Sequence, residues 1–383
     1  MEDRKLHIVC HDVPYPPDYG GVFDLYYKIR TLHEQGIRII LHCFTSGRDE
    51  QPILKTFCEQ VYYYPRRTGH KGFSHQLPYI VCSRSNPELL ERLLQDSYPI
   101  LLEGVHCSYL MQDSRFANRK ILLRLHNVES VYYKQLAKSS SSWFKKLYYL
   151  RESAILRKYE RRIASGWPLL TVTQSDAEMA SVTYQSKNIS VIPVFLPFQH
   201  IESPQGTGCY CLYHGNLSVD ENEKAVIWLL EKVFNDLPIP FLVAGKNPGT
   251  KLRRTVAKYK NCCLVSDPSD QELKDIISKA QLHVIPSFNR TGVKLKLLNA
   301  LFNGRHCVVN ENAVEGTGLK EVCHQAEGAA EFKIMIETLY ERPFTFLDLQ
   351  FRREKLLHQY NNLQTAGLLI SQIWQAVPER HTT

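Results

Sequence analysis

Short apolar runs alternate with longer amphipathic segments along most of this chain. The apolar run Leu6–Cys10 leads through a loop rich in proline and glycine to a helical pattern over Val22–Gln35, which Gly36 ends before the apolar run Ile37–Cys43. The alternation recurs at four further runs, Ile100–Leu102, Lys120–Leu125, Leu169–Thr173 and Ser190–Val194. Strands separated by helices predict βαβ units and therefore an α/β fold with a parallel sheet.

Prolines and glycines interrupt this alternation over residues 193–208, which we interpret as a linker between domains. It resumes with predicted strands at Cys209–Tyr213, Pro240–Ala244, Asn261–Val265, Gln281–Pro286 and His306–Asn310. We therefore predict an N-terminal domain over 1–195, a second domain over 209–355, and a helical tail over 356–383 that packs back toward the first domain. Both domains are expected to be doubly wound sheets that face each other across a ligand-binding crevice.

The composition is that of a folded globular protein. Of the 383 residues 44% are hydrophobic and 22% charged, which argues against widespread disorder. The formal net charge of +8 suits an anionic partner such as a nucleotide or a phospholipid surface, but is too small for this length to indicate nucleic-acid binding. The N-terminus lacks a signal-peptide pattern, and no run reaches the roughly 18 apolar residues of a membrane span, so we expect a cytoplasmic protein.

Two glycines follow the first predicted strand. Gly20 and Gly21 close a loop that contains three prolines and precedes a helix. Glycines at a strand-to-helix turn let backbone N–H groups approach a ligand phosphate or hydroxyl closely. The loop lacks both the Gly-x-Gly-x-x-Gly and the P-loop pattern, and a proline-rich turn closed by glycines is the structural alternative.

A second ligand-binding feature is predicted where a helix begins near Gly292. Leu295, Leu298 and Phe302 recur at helical spacing and predict the buried stripe of that helix. Because a helix N-terminus carries partial positive charge, this start and Lys294 in its first turn could bind a diphosphate. Lys296 lies about 200° further around the helix. We therefore favour Lys294 for the phosphate, with solvated surface lysines as the alternative.

The segment from residue 291 to 309 resembles the motif of glycosyltransferase family 4. The sequence Gly292-Val293-Lys294-Leu295-Lys296 is similar to a bacterial variant with a Gly-Ile-Lys-x-Lys loop, and Gly304–Val309 resembles the family's Gly-x-Pro-Val-Val. The Gly20-Gly21 loop, the segment Leu123–Glu129 and the segment Leu212–Leu217 resemble other family motifs in the same order along the chain.

This resemblance implies a GT-B fold and transfer of a sugar from a nucleoside-diphosphate sugar with retention of anomeric configuration. His126 is implied to lie near the transferred sugar, although a lone histidine after a strand is often structural. Gly20 and Gly21 are implied to lie beside the donor phosphates and the acceptor. The donor-binding positions implied by the resemblance are Gly215, Asn216, Ser287, Gly292, Val293, Lys294, Lys296 and Asn299.

Three positions depart from the family pattern. Thr291 and Asn299 stand where the family has two glutamates, and Asn216 stands where an arginine is usual. Asn299 can still hydrogen-bond the ribose hydroxyls, but without charge the bond is expected to be weaker. These departures leave a weakened or inactive enzyme as an alternative.

Glu103 ends a predicted strand of the first domain and is a candidate for acceptor binding or proton handling. The chain has no Asp-x-Asp triplet and no cluster of histidines and carboxylates at metal-ligand spacing. We therefore expect no metal requirement and no cofactor besides the nucleotide-sugar co-substrate.

Residues 143–162 form a basic helical pattern rich in aromatic residues. Such a helix can lie at an anionic membrane surface, on the inner face of the cell membrane, which would suit a lipid-linked acceptor. The alternative is an ordinary amphipathic helix that packs Leu147, Leu150 and Ile155 on the first domain.

The leading functional hypothesis is a glycosyltransferase that builds a bacterial surface polysaccharide or glycan on a glycan or lipid-linked acceptor. A nucleotide-sugar 2-epimerase or a glycan phosphorylase is the enzymatic alternative, although a phosphorylase is normally far longer. A non-catalytic GT-B protein that binds a glycan or scaffolds a partner is the alternative from another class.

Overall fold

The chain divides into two compact units, residues 1–197 with 360–383 and residues 198–359. The computed structural model describes residues 4–18, 20–140, 142–186, 188–289 and 292–374. The predicted linker contains the boundary between Pro197 and Phe198, but its second half is held by structure. Gly206 and Phe344 exchange two backbone hydrogen bonds of 2.9 Å within the second unit.

The first unit is built on a seven-stranded sheet in which every neighbouring pair of strands is parallel. Its order is β3-β2-β1-β4-β5-β6-β7, from strands β1 (Lys5–Cys10), β2 (Arg38–Thr45), β3 (Gln60–Pro65), β4 (Ile100–Glu103), β5 (Ile121–Leu125), β6 (Leu169–Thr171) and β7 (Ile189–Val191). The strands are nearly continuous apolar runs because helices cover both faces of such a sheet. The α-helices here are α1 (Gly20–Glu34), α2 (Tyr79–Cys82), α3 (Pro87–Leu93), α4 (Glu129–Ser139), α5 (Trp143–Ala164) and α6 (Gln174–Tyr184).

The second unit repeats this plan with six parallel strands in the order β10-β9-β8-β11-β12-β13. The strands are β8 (Cys211–Asn216), β9 (Phe241–Lys246), β10 (Cys262–Ser266), β11 (Leu282–Ile285), β12 (His306–Val309) and β13 (His324–Gln325). The helices are α7 (Asp220–Trp228), α8 (Thr250–Val256), α9 (Asp270–Lys279), α10 (Leu295–Asn303), α11 (Glu311–Val314), α12 (Gly328–Tyr340) and α13 (Phe346–Gln359). A π-helical turn, Leu229–Val233, continues α7.

The last helix, α14 (Asn362–Trp374), belongs to the first unit. Ala366, Leu369 and Ile373 pack into the same buried apolar cluster as Leu25 and Ile29 of α1. The C-terminal helix therefore completes the core of the N-terminal sheet, while α13 still belongs to the second unit.

The 22-residue helix α5 buries a different face from the one expected. Leu147 and Leu150 are exposed, so their predicted packing on the first domain is wrong. The buried positions lie further along the helix, at Glu152, Leu156, Tyr159, Glu160 and Ile163. Only the C-terminal two thirds of α5 pack on the unit, which leaves apolar side chains of its first turns in solvent. Among the described residues no helix is long and apolar enough to cross a membrane.

Candidate active site

In the first unit the strand order reverses between β1 and β4. Doubly wound sheets bind ligands beyond the carboxyl ends of the strands at such a reversal. His11 follows β1, Glu103 ends β4 and His126 follows β5, so all three lie at this edge. The sequence-predicted pair Glu103 and His126 is brought into contact, with 3.1 Å between Glu103 Oε2 and His126 Nε2.

Glu103 faces the protein interior. Its side chain is fully buried, and its Oε1 accepts a 2.7 Å hydrogen bond from the Lys28 ammonium. Burial acts to raise the pKa of Glu103, but Lys28 and His126 prevail and lower it to about 2. This carboxylate is enclosed, so its predicted role in acceptor binding or proton handling, which stays a prediction, would act through His126. It is a positioning residue that orients His126.

Glu103 is one end of a buried network of charges. Lys28 also bonds Asp24, with 3.0 Å between Nζ and Oδ2, and Arg124 Nη2 lies 3.1 Å from Asp24 Oδ1. The Phe195 amide donates to Asp24 Oδ1 at 2.7 Å. Burial acts to raise the pKa of Asp24, but Arg124 and Lys28 lower it well below its usual range. The carboxylates of Asp24 and Glu103 thus balance the charges of Lys28 and Arg124.

The ligand atoms of Asp24, Glu103 and His126 lie within 4.8 Å of one another, close enough to share an ion. Lys28 already bonds both carboxylates, and Arg124 also bonds Asp24. A metal ion would have to displace the Lys28 ammonium, so this chemistry favours an internal salt-bridge network over a metal centre.

His126 is partly exposed, with 18% of its side chain accessible. Because Glu103 is ionised, His126 Nε2 carries the proton and donates to it, which leaves Nδ1 as the acceptor nitrogen. The imidazole is therefore held in one tautomer and one orientation. Such a nitrogen can accept a hydrogen bond from a sugar hydroxyl.

Gly20 and Gly21 are the first two residues of α1 rather than part of the loop before it. Their backbone N–H groups belong to the helix N-terminus, where four donors have no partner within the helix. The helix therefore begins two residues earlier than expected, and the prediction that these glycines close the loop before it is wrong.

In the second unit the strand order reverses between β8 and β11. Gly215 and Asn216 are the last residues of β8 and so lie at this edge. Asn216 Oδ1 accepts from the amide of Ser218 at 3.1 Å, and the Asn216 carbonyl accepts from Asn222 Nδ2 at 2.8 Å. The Asn216 side chain thus holds its own turn, unlike the arginine that the family pattern has there.

The helix near Gly292 begins later than the sequence pattern predicted. Helix α10 starts at Leu295, and Lys294 precedes it with an extended backbone as the N-cap residue. Gly292 has a φ of +70°, a left-handed conformation that favours glycine and cannot continue into a helix. The prediction of Lys294 within the first turn is therefore wrong by one position. Val293 and Lys294 are half-buried, and Thr291 lies outside the described residues.

The side chain of Lys296 lies where the strand order of the second unit reverses between β8 and β11. Its Nζ donates to Tyr213 Oη at 2.6 Å and to Asn222 Oδ1 at 2.5 Å. Its Cδ lies 3.8 Å from the point where a Cβ on Gly215 would stand, so the side chain runs alongside this glycine. Burial lowers the pKa of Lys296 to about 8, although Glu221 opposes the shift. The alternative of a solvated surface lysine is wrong for Lys296.

The two remaining donor positions are engaged with their own surroundings. Asn299 Oδ1 accepts from Asn303 Nδ2 at 2.8 Å on the same helix. Ser287 is buried, its Oγ lies 2.9 Å from Glu221 Oε1, and its amide donates to Asn310 Oδ1 at 2.8 Å. Ser287 therefore links the loop after β11 to α7 and to the end of β12. Of the predicted apolar stripe, Leu298 and Phe302 are buried and Leu295 is half-buried.

Several charged and polar side chains of these two regions were missed by sequence reasoning. A signal was present for Arg124, a charge inside the otherwise apolar strand Ile121–Leu125. Asp24 and Lys28 stand four residues apart on α1, each next to a core position at Leu25 and Ile29. The sequence has no comparable signal for Tyr213 and Asn222, which meet Lys296 only in the folded chain.

Comparisons with known proteins agree with this architecture. A family model described as "Glycosyl transferases group 1" matches residues 208–341. A protein of Klebsiella pneumoniae, described as an uncharacterized 44.6 kDa protein in the cps region, is 31% identical over 336 residues, which are 82% of this chain and 84% of that protein. The chain belongs to the group 1 glycosyltransferases.

Solved structures extend the likeness of this glycosyltransferase to nearly its whole length. Sucrose-phosphate synthase from Thermosynechococcus elongatus matches with a TM-score of 0.71 at 17% identity, over 98% of this chain and 100% of that one. Anabaena HepE in complex with UDP and glucose matches with a TM-score of 0.67 at 11% identity, over 97% and 100%. S. aureus TarM in complex with fondaparinux, alpha-GlcNAc-glycerol and UDP matches with a TM-score of 0.67 at 10% identity, over 97% and 100%. The predicted α/β GT-B fold is confirmed.

Proposed function

We propose that this glycosyltransferase moves a sugar from a nucleoside-diphosphate sugar to a glycan or lipid-linked acceptor during synthesis of a bacterial surface polysaccharide. The observation that carries the proposal is the buried ammonium of Lys296 at the strand reversal of the second unit. Both of its hydrogen bonds within the described residues go to neutral groups, Tyr213 and Asn222. Glu221 is the nearby carboxylate that acts on this ammonium, and it is also held by Ser287. A donor diphosphate would bring further negative charge to a cation that is costly to enclose.

The comparisons support the same assignment. HepE and TarM have been captured with UDP, and HepE also with glucose. The Klebsiella relative comes from a cps region, which supports a role in surface polysaccharide synthesis. A nucleoside-diphosphate sugar and a carbohydrate acceptor are therefore the substrate classes that we propose for this chain.

In the proposed reaction the bond between the sugar and the donor diphosphate breaks, and an acceptor hydroxyl forms the new bond with retained configuration. The leaving diphosphate gains negative charge, which Lys296, Lys294 and the N-terminus of α10 would stabilise electrostatically. Asn299 would contact the ribose hydroxyls through an uncharged hydrogen bond. His126, oriented by Glu103, would bond a hydroxyl of the transferred sugar. The two lysines and the N-terminus of α10 would stabilise the charge of the diphosphate without a metal ion.

A panel of nucleoside-diphosphate sugars tests this function. At least one UDP or GDP sugar is expected to raise the melting temperature, by about 2–4 °C for each kcal/mol of binding free energy in a unit of this size. The same sugar should be hydrolysed slowly, and EDTA should leave this activity unchanged. Absence of any shift across the panel would contradict the donor site, while binding without hydrolysis or transfer would support the non-catalytic alternative.

The first turns of α5 support an anionic membrane surface as the place of action. Trp143, Phe144 and Leu147 are 65%, 68% and 61% exposed, and Lys145 and Lys146 beside them are also exposed. Phe73 of a neighbouring loop is exposed too and lies under Arg151 of α5, with 4.9 Å from the guanidinium carbon to the ring centroid. Aromatic side chains flanked by basic ones are typical of helices that lie in a bilayer interface.

Flotation with vesicles of phosphatidylcholine and phosphatidylglycerol tests this docking. At low salt the protein is expected to float with vesicles that contain phosphatidylglycerol and not with phosphatidylcholine alone. The double substitution Lys145→Glu and Lys146→Glu should weaken binding at least about tenfold, since each basic residue near such a surface contributes about 1 kcal/mol. The matched control replaces two other exposed basic residues of α5, Arg157 and Lys158, by glutamate. Equal loss in both variants would attribute binding to net charge rather than to this end of the helix.

A further inference from the structure

Three histidines lie together at the carboxyl ends of adjacent strands in the first unit. His11 follows β1, His106 lies in the segment after β4, and His126 follows β5. The ring centroid of His11 is 5.3 Å from that of His106 and 6.2 Å from that of His126. We call these three residues the histidine cluster. Glu103 orients His126, but the other two imidazoles have no role in the reaction proposed above.

Two arginines make the surroundings of the histidine cluster positive. Arg84 is buried, and its Nε donates to the main-chain oxygen of His11 at 3.0 Å. Burial lowers the pKa of His106 well below its usual range, and Arg84 and Arg66 lower it further. Burial, with His126 and Arg84, lowers the pKa of His11 to about 3, against the opposing effect of Glu103. Both imidazoles are therefore neutral hydrogen-bonding groups in an electropositive environment.

The nearby carboxyl groups add little negative charge to this environment. Glu103 is fully buried and is bonded to Lys28 and His126. Burial, with the neighbouring Glu160, raises the pKa of Glu129 to about 8, so this carboxyl group near Arg84 is mostly neutral at pH 7. The Nδ1 atoms of His11 and His106 are buried and have no hydrogen-bond partner among the described residues. The cluster therefore combines unsatisfied polar atoms with a positive electrostatic environment.

We infer that the histidine cluster binds an acidic group of the acceptor, a phosphate or a carboxylate. A neutral imidazole has one N–H to donate, and His11 already bonds the main chain of Glu103. His106 would therefore donate to the anionic oxygen, and the adjacent guanidinium groups would supply the attraction. Positive charge around the cluster disfavours a metal ion there. Among the described residues, the group close enough to share an ion is Asp24, Glu103 and His126, and not the three histidines. The assignment to an acceptor rests on the proposed function, in which the donor diphosphate binds at Lys296 in the second unit.

The test follows the imidazole signals of the full-length protein by carbon–proton NMR, with histidine labelled and the signals assigned by single substitutions. Glucose 6-phosphate, glucuronate and glucose are titrated separately. Either anion is expected to shift the signals of His11 and His106 and to raise their titration midpoints, while glucose at the same concentration leaves both unchanged. The phosphate and carboxylate arms distinguish the two sources of the acidic group. The same titrations on Lys296→Met separate phosphate bound at the cluster from phosphate bound at Lys296.

Substitution gives a second measurement. His106→Asn shortens the side chain and withdraws its donor from the anion, and is expected to weaken binding of the active anion at least about tenfold, as for loss of one hydrogen bond to a charged group. His33→Asn, an exposed imidazole on α1 of the same unit, is the control and should not change binding. The inference is overturned if glucose shifts the two signals as strongly as the anions do, or if the anions shift only exposed histidines such as His33.

Calorimetry with UDP on the same sample separates this inference from the proposed function. If UDP binds and neither anion reaches the cluster, the donor site stands and the inference falls. If an anion binds but neither UDP nor GDP does, the proposed transferase and with it the assignment to an acceptor are overturned. Binding of both, with the losses expected for His106→Asn, supports the inference.

Discussion

Replacing Lys296 by methionine is expected to weaken UDP binding by about 30- to 100-fold, the loss typical when one partner of a buried charge pair is removed. The ammonium donates to Tyr213 and Asn222, both neutral, and Glu221 acts on it from nearby, so the bound diphosphate would add a second counter-charge. Methionine keeps the length and apolar contacts of the lysine stem while it removes the charge. Isothermal titration calorimetry with UDP at pH 7 measures the effect directly.

Two lysines of the same unit serve as controls. Lys294→Met is expected to weaken binding less, by about three- to tenfold, because Lys294 precedes the helix as its N-cap residue whereas Lys296 donates to Tyr213 and Asn222 at the strand reversal. Lys224→Met, on the surface of α7, should leave binding unchanged. If Lys294→Met cost more than Lys296→Met, the role proposed for Lys296 as the principal contact of the diphosphate would be wrong.

The depressed pKa of Lys296 gives the same prediction a pH signature. With a pKa of about 8 in the free protein, caused first by burial, Lys296 is mostly protonated at pH 7 and loses its proton as the pH rises through 8. UDP affinity should therefore fall between about pH 7 and pH 9 in the wild type. Lys296→Met should remove this dependence, and a slope that persists in the variant would assign it to another group.

Replacing Lys28 by methionine is expected to lower the free energy of unfolding of the first unit by about 3 kcal/mol, because it leaves buried carboxylates without their cation. Lys28 bonds Glu103 and Asp24 at 2.7 and 3.0 Å, and all three side chains are buried. Urea unfolding followed by circular dichroism measures the loss. The two units need not unfold in one transition. The transition that moves to lower urea concentration in Lys28→Met therefore reports the stability of the first unit.

A double substitution provides the control for this network. Adding Glu103→Gln to Lys28→Met removes the uncompensated charge and should restore part of the stability, although a polar amide stays buried. Arg30→Met, which breaks an exposed pair with Glu34 on the same helix, should change stability by less than about 0.5 kcal/mol. Equal losses for Lys28→Met and Arg30→Met would contradict a buried network.

Acid stability follows from the same carboxylate. The pKa of Glu103 is about 2 in the folded protein, below the ordinary value of 4.5, since Lys28 and His126 outweigh burial. A depressed carboxyl pKa stabilises the fold above the ordinary pKa, and this contribution is lost as the pH falls from about 4.5 to about 2. In Lys28→Met the folded-state pKa of Glu103 should rise toward or above the ordinary value, so this contribution above pH 4.5 should shrink or disappear.

Individual strands and helices show which structural features a local sequence pattern can predict. Nearly continuous apolar runs predicted eleven of the thirteen strands among the described residues to within a few residues, because burial on both faces leaves little freedom in composition. The strands β3 and β13 were missed. Gly36 marked the end of α1 correctly. Helix α5 was also predicted, but not its buried face, since Leu147 and Leu150 have the spacing of a core stripe and yet stay in solvent. Hydrophobic periodicity indicates that a face of a helix can be buried. It does not indicate whether another element covers that face.

The sequence by itself determined two parallel α/β units and the strand ends at which polar side chains gather, while the ligand-binding role of the segment around Gly292 stays a prediction. Tertiary structure alone decided which of those side chains face inward. Lys296 rather than Lys294 is enclosed because α10 begins at Leu295 and because Tyr213, from a strand 83 residues earlier, lies across from it. Glu103 points to Lys28 because α1 carries that lysine beneath β4, 75 residues away in the chain. Partners so distant in the chain produce no periodic pattern in the sequence. Each such contact depends on how whole strands and helices pack rather than on neighbouring residues.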